Sequence, residues 1–257
     1  MTALNRKQLP PYAKLRRKVD IEKIRQYCLE NGYYDYSKFN DMKYADDNHH
    51  RAFLLGHQYC KDTYFKELEA PSLQGEMYKQ LYFTEIDPNK LSKDTDEIIE
   101  TSSTIYSRVR RFQKNSANYI PELDEHNYTA RTPHAKGVFE DIMNSFNSPV
   151  GRVRLAVLMP KFEIKPHVDY DPSYIVRYHI PIITNDQVWF GIKTKEDKVV
   201  EFQMPADGSI YFFNSGLLHW VRNDSDEPRL HLIVDTINQS DFDENIFQLA
   251  KVDSRVT

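Results

Sequence analysis

The sequence contains little cysteine: Cys28 and Cys60 are the only two in 257 residues. Their spacing matches no recognisable metal-binding or redox motif. Two isolated thiols in a chain of this size are typical of a reducing compartment. We therefore expect a cytoplasmic protein.

Long apolar stretches are also missing. No run approaches the roughly 20 apolar residues that a membrane helix needs. The N-terminus carries basic residues, but no apolar segment of a secretory signal follows them. Charged residues make up 28% of the chain and the mean hydropathy is −0.67, which indicates solubility. We expect no association with a membrane.

An excess of positive charge is absent as well. The formal net charge is −4, so composition gives no electrostatic reason to expect a nucleic-acid partner. A local basic cluster near the N-terminus is interpreted as a solvated arm; it consists of Arg6, Lys7, Lys14, Arg16, Arg17 and Lys18. What the chain does have is 40% hydrophobic and 13% aromatic residues, which is enough for a folded protein with a sizeable core.

The hydrophobic pattern before residue 150 is helical. Asp20 is a plausible N-cap for a helix that ends at Gly32, and Val138 to Phe146 have the spacing of an amphipathic helix. A third helix is expected from Thr95. These segments predict a helical layer over residues 1–150.

From residue 151 the period becomes two. In "GRVRLAVLMP" the residues Val153, Leu155 and Val157 fall on one face, and shorter strand-like runs follow, separated by turn signals such as "ADG" and "NSG". Several short strands at this spacing favour a sandwich or jelly roll. We predict a mainly β fold, a double-stranded β-helix (jelly roll) core with an α-helical N-terminal half. The chain then forms a single domain, with helical support at 1–150, the core at 151–240 and a C-terminal tail at 241–257.

One His-x-Asp pair stands out in the β region. His167 and Asp169 are two residues apart, so on a strand or its extended exit both side chains point the same way. An imidazole and a carboxylate side by side can hold two cis positions on a divalent metal. His219, from another strand-like run, would complete a set of three that suits non-haem Fe(II).

Two arginines add to this pattern. Arg229 opens the strand "RLHLIVD" ten residues after His219, and its planar fork suits the far carboxylate of a dicarboxylate cosubstrate. Arg177 and His179 share one face of their strand, opposite Tyr178 and Ile180. A buried arginine without an acidic partner is costly, so an anionic ligand would explain Arg177; an internal acid would explain it as well.

The runs "IKPHVDYDPSYIVRYHIPI" and "ADGSIYFFNSGLLHWVRNDSDEPRLHLIVD" resemble the iron- and 2-oxoglutarate-dependent dioxygenases. The resemblance covers roughly residues 150 to 237 and is strongest to the aspartyl/asparaginyl β-hydroxylase-like branch, which includes bacterial hydroxylases of free proline. It implies that His167, Asp169 and His219 bind iron and that Arg229 binds the C5 carboxylate of 2-oxoglutarate. Arg177 and His179 would contact the cosubstrate or the acid group of the substrate.

The resemblance implies hydroxylation of an unactivated C–H bond of an amino acid with Fe(II), 2-oxoglutarate and O2, with ascorbate as a stimulant. Animal aspartyl β-hydroxylases lack the carboxylate ligand, so Asp169 favours a free amino-acid substrate, a small molecule, over a protein-bound one. Two alternatives remain open: a protein or peptide aspartyl or asparaginyl β-hydroxylase, and a cupin-like metal- or ligand-binding module without redox chemistry. The sequence does not indicate the oligomeric state.

Overall fold

The computed structural model describes residues 3–39, 77–85, 87, 89, 125–248 and 254–256. Most of the regular structure in these residues is β. In chain order the strands are β1 Tyr12–Lys18, β2 Tyr78–Tyr82, β3 Thr84–Glu85, β4 Ala130–Arg131, β5 Val150–Leu158, β6 Phe162–His167, β7 Val176–Ile183, β8 Val188–Lys193, β9 Val199–Phe202, β10 Ser209–Phe213, β11 His219–Asn223, β12 Arg229–Thr236 and β13 Ser254–Val256.

Two antiparallel sheets form the core. The larger has the strand order β1-β10-β7-β12-β5-β2, the smaller has the order β13-β9-β8-β11-β6, and β3 pairs with β4 separately. Leu158 and Phe213 from the larger sheet pack with Phe190 and Val221 from the smaller one in a shared apolar cluster. The two sheets therefore face each other, and the predicted mainly β, jelly-roll core is confirmed.

The residue pattern of β7 explains why polar side chains enter this core. Tyr178 and Ile180 pack into the apolar cluster on the outer face of the larger sheet, where the helices lie. Arg177 and His179 alternate with them and are buried on the opposite face, between the sheets. One face of β7 therefore packs against the helical layer, and its other face contributes polar side chains to the interior between the sheets.

Two helices cover the outer face of the larger sheet: α1, Ile21–Glu30, and α2, Val138–Asn144. The side chain of Asp20 accepts a hydrogen bond of 3.0 Å from the backbone N–H of Lys23, so the predicted N-cap is confirmed. The helix expected from Thr95 lies outside the described residues. None of the helices that are described has the length and apolarity needed to cross a membrane.

The region before residue 150 is not only a helical support. β1 pairs with β10 at one edge of the larger sheet and β2 pairs with β5 at the other edge. The strand β1 was not predicted because its sequence contains much of the basic cluster. Charged residues are common on edge strands, so this composition is compatible with a strand. Lys14 and Lys18 lie 3.4 Å from the carboxylate of Asp207, while Tyr12 and Leu15 are buried. The residues interpreted as a solvated arm are therefore partly a strand, and β13 likewise pairs with β9 from within the segment expected to be a tail.

Gly191 leaves room for the indole ring of Trp220, the residue that follows His219 on β11. It lies on β8 directly opposite Trp220 on β11, and a Cβ atom added there would overlap the indole ring. We expect Gly191→Ala to lower the free energy of unfolding by about 1–3 kcal/mol, the usual cost of overpacking. Urea denaturation measures this. Gly151→Ala is the matched control, since its Cβ would meet its nearest atom at 3.4 Å, and it should stay close to the wild type.

Candidate metal centre

Strand pairing brings three of the sequence-predicted residues together. His167 ends β6, His219 opens β11, and the two are directly opposite each other in the antiparallel ladder. Asp169 follows two residues after β6, and its backbone N–H donates a 2.8 Å hydrogen bond to the carbonyl of Ser215 in the turn before β11. The smaller sheet therefore gathers the three side chains at one end of β6 and β11.

The three side chains form a cluster with one possible ligand atom each. These atoms all lie within 4.8 Å of one another. The Nε2 atoms of His167 and His219 are each 3.9 Å from Oδ2 of Asp169. His219 is buried, whereas the side chain of His167 is 32% exposed, so the cluster has an inner side and an open side.

The hydrogen bonds of the two imidazoles fit a metal ion. Nδ1 of His167 lies 2.7 Å from the carbonyl oxygen of Lys165, and Nδ1 of His219 lies 2.9 Å from that of Leu217. A carbonyl oxygen only accepts, so each Nδ1 carries the proton and each Nε2 presents its lone pair toward Asp169. Burial, followed by the neighbouring His167, lowers the pKa of His219 to about 3, which keeps this imidazole neutral. Two imidazole nitrogens and one carboxylate oxygen are a donor set suited to a divalent transition metal.

Arg177 lies beside this cluster and contacts two internal acids. Its Nε donates to Oδ1 of Asp235 at 2.8 Å and its Nη2 to Oδ2 of Asp235 at 3.2 Å. Its Nη1 donates to Oδ2 of Asp169. Burial acts to lower the pKa of Arg177, but the carboxylates of Asp235 and then Asp169 outweigh it and raise the pKa. The structure thus supplies internal acids, the second of the two explanations that the sequence left open for Arg177.

Asp235 is the centre of a buried ionic network that sequence reasoning missed. It is fully buried, and besides Arg177 it accepts a 2.9 Å hydrogen bond from Nη1 of Arg154. Nε of Arg152 lies 3.9 Å from Asp235 and 3.5 Å from the buried carboxylate of Glu125. Burial acts to raise the pKa of Asp235, but the guanidinium groups of Arg177 and Arg154 outweigh it and hold the pKa well below its usual range.

A signal for Asp235 was present in the sequence. Asp235 lies six residues after Arg229 in β12, so strand alternation places both on the face that also carries His231. Glu125 had no comparable signal, because it lies in a short 3-10 turn outside any periodic segment. Its carboxylate accepts a 3.0 Å hydrogen bond from the hydroxyl of Tyr170.

Two further histidines are buried between the sheets. Nδ1 of His179 lies 3.3 Å from Nδ1 of His231, and the ring of His179 packs 5.3 Å from that of Phe213. Phe213 in turn lies 5.0 Å from the ring of His219, which connects this pair to the metal-type cluster. Burial, and then the positive charge of Arg229, lower the pKa of both His179 and His231 far below the usual range. Both imidazoles are therefore neutral.

Arg229 is buried, and none of the acidic side chains in the described part of the chain pairs with it. Its residue is 2% exposed, and neither Nε nor Nη1 has a hydrogen-bond partner. Within the described part of the chain no carboxylate lies within ion-pair distance of it; its guanidinium lies over the ring of Phe190, 5.7 Å from the centroid. Burial lowers the pKa of Arg229 to about 10, which still leaves it positively charged at neutral pH. An anion is the group that would satisfy this site.

A comparison with protein families gives a match over more than half of the chain. Residues 94–239 match the family model described as aspartyl/asparaginyl beta-hydroxylase. No curated protein matches the chain.

Solved structures give only partial matches. Bacillus subtilis oxalate decarboxylase, from a study of its Mn(II) centres, matches 34% of this chain and 22% of its own length, with 17% identity and a TM-score of 0.28. Peruvianin-I, described as a cysteine peptidase from Thevetia peruviana latex, matches 34% of this chain and 51% of its own, with 12% identity and a TM-score of 0.27.

Proposed function

The chain belongs to the aspartyl/asparaginyl β-hydroxylase family, and from this premise we propose that it is an Fe(II)- and 2-oxoglutarate-dependent dioxygenase. It hydroxylates an unactivated C–H bond of an amino acid that is free rather than protein-bound. Its working unit is a single domain, it acts in the cytoplasm, and its partner is the small-molecule substrate.

The observation that carries the proposal is the buried guanidinium of Arg229, for which the described residues offer no acidic partner. A buried charge without a partner costs several kcal/mol, so such a residue is expected to have an anionic ligand. Aromatic and imidazole rings join Arg229 to the metal-type cluster through the space between the sheets: Phe190, His179 and Phe213. The anion proposed for Arg229 is a dicarboxylate, whose other end would reach the metal-type cluster along this row of rings.

In this proposal each residue has a defined task. His167, Asp169 and His219 hold Fe(II), which together with 2-oxoglutarate supplies the activation of O2, the hydroxylation, and the release of succinate and CO2. Arg229 binds the C5 carboxylate through its planar fork.

The remaining residues orient the cosubstrate and exclude water. Arg177 uses three of its five N–H donors on Asp235 and Asp169, so two remain for a carboxylate of the cosubstrate or substrate. His179 is buried and neutral, it packs against the Phe190 ring that also lies under Arg229, and in this proposal it contacts the same ligand. Phe190 and Phe213 keep the interior dry, which strengthens every ionic contact within it.

Two alternatives differ in substrate and chemistry. The family description names aspartyl and asparaginyl hydroxylation and does not distinguish free from protein-bound substrates, whereas Asp169 as a metal ligand favours free amino acids. A cupin-like module without redox chemistry would keep the two histidines but would not need Arg229 or 2-oxoglutarate.

Succinate release tests the proposal directly. The purified protein is incubated with Fe(II), ascorbate, 2-oxoglutarate and a panel of free amino acids, and in parallel with peptides that contain aspartate or asparagine. We expect succinate to form with at least one free amino acid and the product to gain one oxygen atom by mass spectrometry. Omission of Fe(II) is the control. Turnover with peptides alone would support the protein-modifying alternative, and absence of any 2-oxoglutarate binding or turnover would contradict the dioxygenase.

A further inference from the structure

We propose that Asp235 is a positioning residue for the metal centre, acting through Arg177 to fix the carboxylate of Asp169. This inference rests on the metal role of the triad in the proposed function. It assigns a task to a buried acid that is not itself near enough to bind the metal.

The guanidinium of Arg177 connects the two acids in a defined geometry. Nε and Nη2 bind the two oxygens of Asp235 in a bidentate pair, at 2.8 and 3.2 Å. A bidentate pair fixes the plane of a guanidinium as well as its position. The Nη1 atom is thereby directed at Oδ2 of Asp169, the same oxygen that lies 3.9 Å from each histidine Nε2.

Asp235 is held more firmly than the residue it would position. It is on β12, directly opposite Arg177 on β7 in the sheet ladder, and Arg154 from β5 donates to it from the other side. Three adjacent central strands thus fix its carboxylate. Asp169 lies after β6 in the smaller sheet, so Arg177 bridges from a rigid sheet to a ligand outside regular structure. Sites are held more accurately by strands than by loops.

This arrangement differs from simple charge compensation. Arg154 and Arg152 also approach Asp235. If Asp235 only compensated the charges of buried arginines, these contacts and its pair with Arg177 would be enough. The additional contact from Nη1 of Arg177 to Asp169 would then not be needed. That contact selects which oxygen of Asp169 faces the histidines. Loss of an outer residue that orients a metal ligand typically costs about 10–100-fold in metal affinity.

The test measures Mn(II) affinity by calorimetry on the metal-free protein, with no cosubstrate present. Asp235→Asn keeps the size of the side chain but weakens its hold on Arg177, and we expect its affinity to fall by about 10–100-fold. Asp169→Ala removes the ligand itself and gives the lower reference value. Asp241→Asn is the matched control, because Asp241 is another buried acid bound to an arginine, Arg17, at 2.8 Å. It should lose stability but retain the wild-type affinity.

A double-mutant cycle separates positioning from a structural role. If Asp235 acts through Arg177, Asp235→Asn should produce no further loss of Mn(II) affinity in an Arg177→Met background. Arg177→Lys can hold one acid but not both, so its affinity should fall between those of the wild type and Arg177→Met. This series also tests the proposal if Asp235→Asn does not fold, which thermal melts by circular dichroism would reveal.

The outcomes distinguish this inference from the proposed function. Affinity of folded Asp235→Asn within about threefold of the wild type, or an equal loss in the Arg177→Met background, overturns the positioning role alone. Failure of the wild type itself to bind Mn(II) or Fe(II) overturns the proposed function together with it.

Discussion

Replacing His219 with alanine is expected to abolish divalent-metal binding and, with it, succinate formation. The Nδ1–H of His219 donates to the carbonyl of Leu217, which leaves the Nε2 lone pair available for a metal. Removing this atom leaves two of the three ligand atoms that lie within 4.8 Å. Because a metal bond itself is lost, affinity should fall by more than the roughly 10–100-fold that changes to orienting residues cost. Calorimetric titration with Mn(II) measures this.

Thermal denaturation gives a second measurement that does not depend on turnover. A metal that binds only the folded protein stabilises it by about 2.7 kcal/mol at a concentration of 100 times Kd. We expect Mn(II) to raise the Tm of the wild type and to leave that of His219→Ala unchanged. His134→Ala serves as the control, because His134 contacts the hydroxyl of Tyr33 at 3.3 Å and joins no metal-type cluster among the residues that the structure describes. An equal Mn(II) shift in His219→Ala and the wild type would contradict the assignment of the triad.

The fold after residue 150 could be read from the sequence because local alternation determines it. Tyr178 and Ile180 on one face of β7, with Arg177 and His179 on the other, follow from the period of a strand alone. β1 could not be read in this way, because an edge strand tolerates lysine and arginine at its exposed positions. Its buried residues, Tyr12 and Leu15, are too few to outweigh the basic cluster around them.

The candidate site could be predicted only in part. His167 and Asp169 are close in sequence, so their shared direction was a local inference. Their meeting with His219 depends on the pairing of β6 with β11, which joins residues 52 positions apart and which no local pattern determines. The pairing of Arg177 with Asp235 is of the same kind, since it requires β7 and β12 to be neighbours in register. Because this long-range register cannot be derived from the sequence, an internal acid as the partner of Arg177 remained one of two open explanations.

Replacing Arg229 with methionine is expected to increase the stability of the ligand-free protein. The guanidinium is buried, and none of the acids in the described residues pairs with it, so its desolvation is uncompensated. Methionine has a similar length and no charge, and exchanging buried charges for apolar groups can stabilise a protein by about 1–4 kcal/mol. Urea denaturation without cosubstrate should therefore show a higher free energy of unfolding for Arg229→Met than for the wild type.

Arg154→Met is the matched control for this measurement. Arg154 is 3% exposed and Arg229 is 2% exposed, and both lie in the larger sheet, but Arg154 donates to Asp235 at 2.9 Å. Breaking a buried pair by removing one partner costs about 3–5 kcal/mol. The two substitutions should thus shift the free energy of unfolding in opposite directions. A similar loss in both would mean that Arg229 is compensated within the protein, and the need for an anionic ligand would disappear.

The same substitution should remove cosubstrate binding. Truncating one partner of a buried, hydrogen-bonded charge pair costs about 2–5 kcal/mol, which corresponds to a rise in Kd of about 30-fold to several thousand-fold. We expect calorimetry with Mn(II) present to show this loss of affinity for 2-oxoglutarate in Arg229→Met, while Mn(II) binding itself is retained. Arg229→Lys keeps the charge but not the planar fork, so its Kd should lie between the two. If Arg229→Met both raises the stability and removes cosubstrate binding, Arg229 destabilises the ligand-free fold and is needed to bind the ligand. Unchanged binding of 2-oxoglutarate by Arg229→Met would place the C5 carboxylate elsewhere.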